Sequence, residues 1–218
     1  MKVFLLAGEA SGDKLGAALM AGLLQHMPNR PEFYGVGGPL MEQAGLKTLF
    51  PMSDISLMGI SEILSKYRFL KRRIAEAADA VIAGEADVLI TIDLPEFSLR
   101  LAKAVRRRKH VPSVHYVAPT VWAWRPGRAQ KMSPFVDHIL ALFPFEPRYM
   151  QAAGMSCDFV GHPVVNDPCA TRGEAQRFRA EMGIDDAPMI LCLPGSRGSE
   201  IKRLAPVFAK VVEKLHAA

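Results

Sequence analysis

Short apolar runs alternate along this chain with longer segments in which apolar residues recur every three or four positions. The short runs predict buried strands over residues 3–7, 33–36, 88–92, 114–117, 139–143 and 159–160. The longer segments predict amphipathic helices over residues 15–27, 60–82 and 95 to about 109. Apolar strands separated by helices indicate a parallel sheet covered on both faces. With right-handed crossovers, the predicted fold is a doubly wound, Rossmann-like α/β domain.

The pattern changes after residue 163. Prolines, Asn166, Asp167 and Gly173 form a breaker-rich linker, followed by a predicted helix over residues 174–182. A strand at 189–193, a glycine turn at 194–200 and a helix at 201–215 then predict the opening of another Rossmann-like domain. One strand and one helix cannot bury a core alone. We therefore expect a complete domain over 1–163, a linker and helix over 164–188, and an incomplete second domain over 189–218.

Composition narrows the class of protein. Half of the 218 residues are hydrophobic and 22% are charged, which excludes a disordered or fibrous chain. Three cysteines without a C-x-x-C spacing indicate neither a disulfide framework nor a zinc site, but reduced thiols. The apolar run after Lys2 is too short for a signal peptide, and no stretch reaches the ~18 apolar residues of a spanning helix. A cytoplasmic protein with at most peripheral membrane contact is expected.

The net charge of +5 is unevenly distributed. Residues 100–131 contain nine basic and no acidic residues, leaving 18 basic and 22 acidic residues elsewhere, so the excess predicts one basic patch. A second basic segment spans residues 57–74, where arginines and lysines interrupt apolar residues at helical spacing. Such a helix fits an anionic membrane surface, although a packing helix with a solvated basic face gives the same pattern. The candidate membrane contacts are Ile60, Ile63, Leu64, Tyr67, Arg72 and Arg73.

In a doubly wound sheet, ligands bind beyond the carboxyl ends of the strands. The first such loop, residues 8–13, contains Gly8 and Gly12, which permit close backbone approach, before a helix N-terminus that favours an anion. Its spacing matches neither G-x-G-x-x-G nor a P-loop. A ligand site and a simple strand–helix turn both remain open.

The second loop begins at Asp93, at the end of the strand predicted over 88–92. A partly desolvated carboxylate there suits a general base. The alternative is that Asp93 caps the helix beginning near Pro95.

The third loop contains both tryptophans, Trp122 and Trp124, beside Arg125. Aromatic faces with a cation can hold a sugar or base and its phosphate; alternatively, the tryptophans fill the domain interior. Near the chain end, Ser196 and Arg197 lie in a glycine turn before a helix, a combination suited to phosphate. His162, alone at a strand end, favours a structural role.

Several of these motifs occur together in one family. The segments are AGEASGD (7–13), GVGGP (35–39), LMGI (57–60), IDLPEF (92–97), HYVAPTVWAWR (115–125), FVGHP (159–163) and LPGSRGSE (193–200). In this order, over nearly the whole chain, they make it resemble the lipid A disaccharide synthase family of bacterial glycosyltransferases. Departures are small, with Ala10 and Glu96 where Thr and Asp are also common.

The resemblance implies a two-domain GT-B architecture and an inverting transfer. The donor would be UDP-2,3-diacylglucosamine, the acceptor 2,3-diacylglucosamine 1-phosphate (lipid X), and the products a β(1→6) tetraacyl disaccharide phosphate and UDP. In the family, the second domain supplies most nucleotide-sugar contacts, so the 218-residue chain alone is expected to be inactive. No metal or other cofactor is expected.

The resemblance also implies roles for particular residues. Asp93 matches the proposed catalytic aspartate, and Glu9 matches an acidic residue of the first loop implicated in function. The expected substrate-binding residues are Gly8, Ser11, Gly12, Trp124, Arg125, Ser196 and Arg197. Because both substrates carry acyl chains, peripheral association with the anionic inner membrane is expected, and no nucleic-acid partner. The alternatives are another GT-B UDP-sugar transferase or epimerase, and a nucleic-acid- or membrane-binding Rossmann module without enzymatic activity.

Overall fold

The structure is a computed structural model that describes residues 1–56, 67–195 and 198–216. The chain divides into two compact units, Met1–Val165 and Asn166–Ala218. The predicted domain roles of residues 164–188 and 189–218 stay predictions.

The described part of the first unit contains a seven-stranded sheet in which all paired strands are parallel. Its strands are β1 (Lys2–Ala7), β2 (Glu32–Val36), β3 (Lys47–Thr48), β4 (Val88–Ile92), β5 (Ser113–Tyr116), β6 (His138–Ala141) and β7 (Ser156–Phe159). The strand order is β3-β2-β1-β4-β5-β6-β7. The chain runs outward from β1 in one direction, then returns to β4 and runs outward in the other. This confirms the predicted doubly wound α/β fold and places the ligand crevice at the carboxyl ends of β1 and β4.

Helices cover both faces of this sheet. They are α1 (Ala10–His26), α2 (Pro39–Gln43), α3 (Tyr67–Ala83), α4 (Pro95–Arg106), α5 (Arg128–Met132) and α6 (Pro147–Gln151), with 3₁₀ turns at Met52–Asp54 and Pro163–Asn166. Alternate residues of β1 enter two separate cores, so its whole apolar run is buried. Phe4 and Leu6 pack on the side of α3 to α6, whereas Val3 and Leu5 pack on the side of α1 and α2.

Helix α1 begins at Ala10, five residues earlier than predicted, so Gly12 of the first loop lies inside a helix, whereas Gly8 precedes it. A Cβ on Gly12 would lie 3.3 Å from the Cβ of Ala7, and one on Gly16 would lie 2.4 Å from the Sδ of Met41. These glycines therefore allow the helix to pack closely against β1 and α2.

The second unit contains α7 (Arg172–Glu181) and α8 (Gly198–His216). Thr171 and Glu174 form a capping box at the start of α7, with Thr171 N donating to Glu174 Oε2 at 2.7 Å. The predicted strand at 189–193 is wrong, since these residues form no ladder and their apolar side chains are exposed. An apolar segment becomes a strand only where another strand pairs with it.

Within the described residues, no helix combines the length and apolar character required to cross a bilayer.

Candidate active site at the carboxyl edge of the sheet

The loops after β1 and β4 meet at the predicted crevice. Ala7 and Ile92 are register partners, so Glu9 and Asp93 follow neighbouring strand ends. The Leu94 side chain packs over Gly8, where a Cβ would come within 2.3 Å of Leu94 Cδ2. Gly8 thus has a packing role in joining the two loops.

Asp93 occupies an unusual backbone position. Both Asp93 and Leu94 are left-handed, with φ of 49° and 47°. The Asp93 amide donates to the carbonyl of Tyr116 at 2.9 Å, and the Ser98 hydroxyl donates to the Asp93 carbonyl at 2.7 Å. Two neighbouring elements therefore hold a conformation that costs energy, as is common at functional sites.

The half-buried Asp93 side chain does not cap α4. Leu94 occupies the N-cap position, and no side chain caps this helix. The capping alternative is therefore wrong. Among the described residues, the Asp93 carboxylate has no hydrogen-bonding partner, which leaves its oxygens available to a substrate.

The other first-loop residues occupy contrasting positions. Glu9 is half-buried at the N-cap position of α1, and its carbonyl accepts from the Asp13 amide at 2.9 Å. Ser11 is exposed in the first turn, whereas Gly12 is buried. Their predicted substrate contacts stay predictions.

Asp13 is a buried carboxylate whose role was not predicted from the sequence. Its oxygens accept backbone hydrogen bonds from Gly38 at 2.9 Å, Leu40 at 3.0 Å and Met41 at 3.0 Å. Asp13 thereby ties α1 to the first turn of α2. The available signal was the acidic residue of the first loop together with the Gly-Gly-Pro turn at 37–39, which leaves amides without intrahelical partners.

Both tryptophans are exposed, so the alternative that they fill the domain interior is wrong. Trp122 and Trp124 are 45% and 63% exposed. Trp122 packs edge-to-face on Phe145, with ring centroids 5.2 Å apart, and Phe145 stacks on Phe143 at 5.7 Å. The Arg125 guanidinium lies 5.4 Å from the centre of the Trp124 ring. This edge of the sheet therefore presents aromatic faces and a cation to solvent.

His162 lies beside these aromatic rings. Its Nδ1 accepts from the Val164 amide at 3.1 Å, and its ring centroid is 6.3 Å from that of Phe143. Both contacts agree with the structural role that the sequence favours.

A cleft of about 530 Å³ opens between the start of α4 and the segment around α5; we call it the basic cleft. It is lined by Glu96, Leu99, Arg125, Gly127, Arg128, Lys131, Met132 and Phe135. Glu96 Oε1 lies 2.9 Å from a guanidinium nitrogen of Arg128 and 4.0 Å from one of Arg125. The first residue of its lining along the chain, Glu96, comes three residues after Asp93. From the sequence, Arg125 was predicted as a binding residue, whereas Arg128 and Lys131 were predicted only as members of the basic run, because their association depends on the fold of this segment.

Strained backbone is concentrated around this edge. Asp93, Leu94, Val117 and Arg125 have positive φ, and they account for four of the six such non-glycine residues in the described part of the chain. All four lie in the loops that follow β4 and β5. Concentration of such strain supports a functional assignment for these two loops.

The basic residues between 100 and 131 do not form one patch, so that prediction is wrong. Arg106 pairs with Asp137 and Arg108 with Asp79, beyond the far end of α4 from the basic cleft. Helix α4 carries the chain from the carboxyl ends of the strands to their amino ends, and β5 carries it back to the carboxyl ends. The cations are therefore divided between the two edges.

His115 is fully buried beneath the site. Its Nδ1 lies 2.8 Å from the Thr91 hydroxyl, and its Nε2 has no partner among the described residues. Burial, with a smaller contribution from the positive charge of Arg128, lowers the pKa of His115 to about 4. The imidazole is therefore neutral near pH 7.

This burial predicts a pH-dependent stability. Between the unfolded pKa of about 6.5 and the folded pKa, the unfolded state binds the proton more tightly, so stability falls as pH falls. We expect the free energy of unfolding to drop by about 2 kcal/mol between pH 7 and pH 5 through His115 alone. Urea unfolding at both pH values measures it. His115→Gln should remove this component and the exposed control His26→Gln should keep it; an unchanged slope in His115→Gln would contradict the assignment.

The predicted membrane contacts fall into three groups. Tyr67 and Arg72 are exposed in the first turns of α3. The Arg73 side chain is only 19% exposed, paired with Asp54 and with Glu76 at 2.6 Å, so its placement argues against lipid contact. Ile60, Ile63 and Leu64 lie outside the described residues, as do the predicted phosphate contacts Ser196 and Arg197.

Comparison with known proteins identifies the family. The model of a family described as lipid-A-disaccharide synthetase matches residues 3–218. The chain belongs to this family. A lipid-A-disaccharide synthase of Ruegeria pomeroyi is 58% identical over 214 residues, covering 98% of this chain and 53% of the relative. One from Rhodospirillum centenum is 49% identical over 215 residues, with coverage of 98% and 53%.

Membership of the synthetase family confirms the resemblance inferred from the motifs. The chain spans about half the length of the curated relatives it matches. Among solved structures, the apo form of the lipopolysaccharide outer core galactosyltransferase WaaB is similar, with a TM-score of 0.48 and 13% identity, over 75% of this chain and 46% of that chain.

Proposed function

We propose that the whole protein, at the length of its curated relatives, is a lipid-A-disaccharide synthase. It would transfer 2,3-diacylglucosamine from UDP to the 6-hydroxyl of 2,3-diacylglucosamine 1-phosphate. The observation that carries this proposal is the Asp93 carboxylate at the crevice between β1 and β4, which has no partner among the described residues, in a chain that matches the family over nearly its whole length.

The proposed reaction is a single displacement at the anomeric carbon of the donor. The acceptor oxygen forms the new glycosidic bond while its proton passes to Asp93. The bond to the diphosphate breaks with its electron pair, so UDP departs with an added negative charge and the configuration inverts. General-base assistance at such a position contributes about 10²–10⁴-fold in rate.

Other residues take supporting roles in this proposal. Glu9, which follows the neighbouring strand end, is assigned to the acceptor side of the site. Trp124 and Arg125 provide an aromatic face and a cation on the same edge of the sheet. Arg197 and Ser196 are assigned to the charge developing on UDP.

The donor half of the site belongs, in this proposal, to a second domain that completes a GT-B architecture. The family resemblance assigns most nucleotide-sugar contacts to that domain. We therefore propose that the 218-residue chain alone does not catalyse the transfer.

An assay of the whole protein tests the activity. UDP-diacylglucosamine and the acylated acceptor should give disaccharide phosphate and UDP in equal amounts, detected by mass spectrometry and chromatography. UDP-glucosamine without acyl chains is the matched control. Turnover only of unacylated UDP-sugars, or their epimerisation without transfer, would replace the proposed function with the corresponding alternative. Salt-sensitive binding of nucleic acid without any sugar transfer would favour the alternative of a binding module without enzymatic activity.

We also propose that the protein works at the anionic inner membrane surface, with the first turns of α3 as a contact. There, Tyr67, Arg68, Lys71 and Arg72 are exposed, and the Lys71 ammonium lies 5.9 Å from the centre of the Tyr67 ring. In a parallel α/β sheet, a helix that leads into β4 begins at the carboxyl edge and runs back to the opposite one. The basic turns of α3 therefore lie on the side of the crevice.

Removal of two of these cations should weaken membrane binding. Each basic residue near an anionic surface contributes about 1 kcal/mol, so the double substitution Lys71→Gln/Arg72→Gln should lower the partition coefficient by about 30-fold. Co-sedimentation with phosphatidylglycerol-containing vesicles measures it. The matched control is Arg30→Gln/Lys47→Gln, which removes two exposed cations at the opposite edge of the sheet. Equal losses in both variants would contradict a specific role for α3.

A further inference from the structure

The basic cleft combines charge, volume and position, and of its lining residues the proposed reaction uses only Arg125. Three cations, Arg125, Arg128 and Lys131, line it with one carboxylate, Glu96. Its volume of about 530 Å³ lies in the range of small-molecule sites. The whole lining belongs to the first unit, so the cleft exists within that unit alone.

We propose that the basic cleft binds the phosphate and the adjoining sugar ring of the acceptor, a glucosamine 1-phosphate headgroup. The inference deepens the proposed function and rests on it. The cations would bind the phosphate, and the Glu96 carboxylate would accept a hydrogen bond from a sugar hydroxyl.

The two arginines are held in place before any ligand arrives. The Arg128 side chain is only 20% exposed, and its guanidinium is fixed by the 2.9 Å contact with Glu96. Arg125 has a left-handed backbone, with φ of 53°, and its guanidinium lies against the Trp124 ring. One guanidinium group can donate two parallel hydrogen bonds to the oxygens of a phosphate. Side chains that are already ordered lose less conformational entropy on binding. Arginines held in this way are better suited to bind one anion at a defined position than to attract mobile counterions.

The charge of the cleft matches a terminal phosphate. The three cations exceed the single lining carboxylate by two charges, while a phosphate monoester carries about −1.5 to −2 at pH 7. A carboxylate in an anion site would oppose free phosphate, but it provides an acceptor for the hydroxyls of a sugar. This composition therefore favours a sugar phosphate over inorganic phosphate.

Position favours the acceptor over the donor. Asp93 and Glu96 are three residues apart, so their Cα atoms are separated by at most about 10 Å. The acceptor carries its reactive 6-hydroxyl on the carbon attached to C5 and its 1-phosphate on C1, and C1 and C5 both flank the ring oxygen, so the base and the phosphate site must lie within about the width of one sugar ring. The donor's phosphates, by contrast, are assigned to residues 194–199 of the second unit.

The first test is a binding titration of the 218-residue chain. Both tryptophans lie in the segment that carries Arg125, so their fluorescence reports on the cleft. The probes are glucosamine 1-phosphate, inorganic phosphate and glucosamine. We expect glucosamine 1-phosphate to bind at least about tenfold more tightly than either other probe, because only it uses both the cations and Glu96. No binding of it, or equal binding of inorganic phosphate, would overturn the proposal.

Variants then locate the binding site. Arg128→Gln should weaken glucosamine 1-phosphate binding at least about tenfold, as expected for loss of a charge-assisted pair. Arg125→Gln, at a side chain that is 60% exposed, should also weaken it. The matched control is Arg107→Gln, which removes an exposed cation about 16 Å along α4. Equal effects of Arg107→Gln and Arg125→Gln would indicate general electrostatic attraction and overturn the assignment.

Kinetics of the whole protein separate the acceptor from the donor. Arg128→Gln should raise KM for the acylated acceptor at least about tenfold and leave KM for the UDP-sugar unchanged. A rise confined to the donor KM would assign the cleft to the diphosphate and overturn the proposal. If the wild-type protein transfers no acylated sugar, the proposed function fails, whereas the titration still decides whether the cleft binds a sugar phosphate.

Discussion

Substitution of Asp93 by asparagine in the whole protein is expected to lower kcat by about 10²–10⁴-fold, with a smaller change in KM for either substrate. Asparagine keeps the size and polarity of the side chain but cannot take the proton of the acceptor hydroxyl. It also tolerates the left-handed backbone of this residue, where φ is 49°, better than most residues do. Initial rates at saturating concentrations of both substrates measure the effect.

The design of this experiment separates chemistry from folding. Asp93→Ala would add backbone strain to the loss of the carboxylate, so its activity alone is harder to interpret. Asp79→Asn is the matched control and should keep full activity. Asp79 is an exposed acid paired with Arg108, beyond the end of α4 that is far from the basic cleft. Undiminished turnover in Asp93→Asn would remove this residue from the mechanism.

Substitution of Asp13 by alanine should destabilise the first unit by about 3–5 kcal/mol. The substitution leaves the amides of Gly38, Leu40 and Met41 without their acceptor, and a buried donor without a partner costs about 1–3 kcal/mol. Total stabilities of such domains are about 5–15 kcal/mol, so this is a large fraction. Urea unfolding followed by circular dichroism measures the change.

Two further variants define the origin of that loss. Asp13→Asn keeps one acceptor oxygen and should retain part of the stability. Asp79→Ala removes an exposed ion pair and should cost less than about 1 kcal/mol. A similar small cost for Asp13→Ala would show that water replaces the carboxylate at these amides.

Much of the fold was predictable because its strands are buried on both faces. The strand β4 was predicted to the residue, since all five of its positions are apolar or small and β-branched. The start of α1 was not predictable in this way. Its glycines favour a turn when only their neighbours in sequence are considered, but in the folded unit they allow close packing of the helix. Such contacts between distant elements are absent from a local pattern.

The candidate site divides in the same way. Asp93 follows directly from the end of an apolar strand, and Glu9 from the end of another. Asp13 was missed because its partners are backbone amides 25 to 28 residues away, which no side-chain motif reveals. Arg128 and Lys131 were counted only as part of a basic run, since their association with Glu96 requires the return of the chain after β5.

The unpaired segment at 189–193 has a consequence for work with the isolated chain. Its residues Met189, Ile190, Leu191 and Leu193 are between 54% and 73% exposed, with an exposed thiol at Cys192. An apolar stretch with high strand propensity and unpaired amides is a template for pairing between copies. Solutions of the isolated chain are therefore expected to self-associate as concentration rises, and oxidation at Cys192 would make those contacts covalent. A reductant and a low protein concentration are needed to keep the measurements above in the monomeric regime.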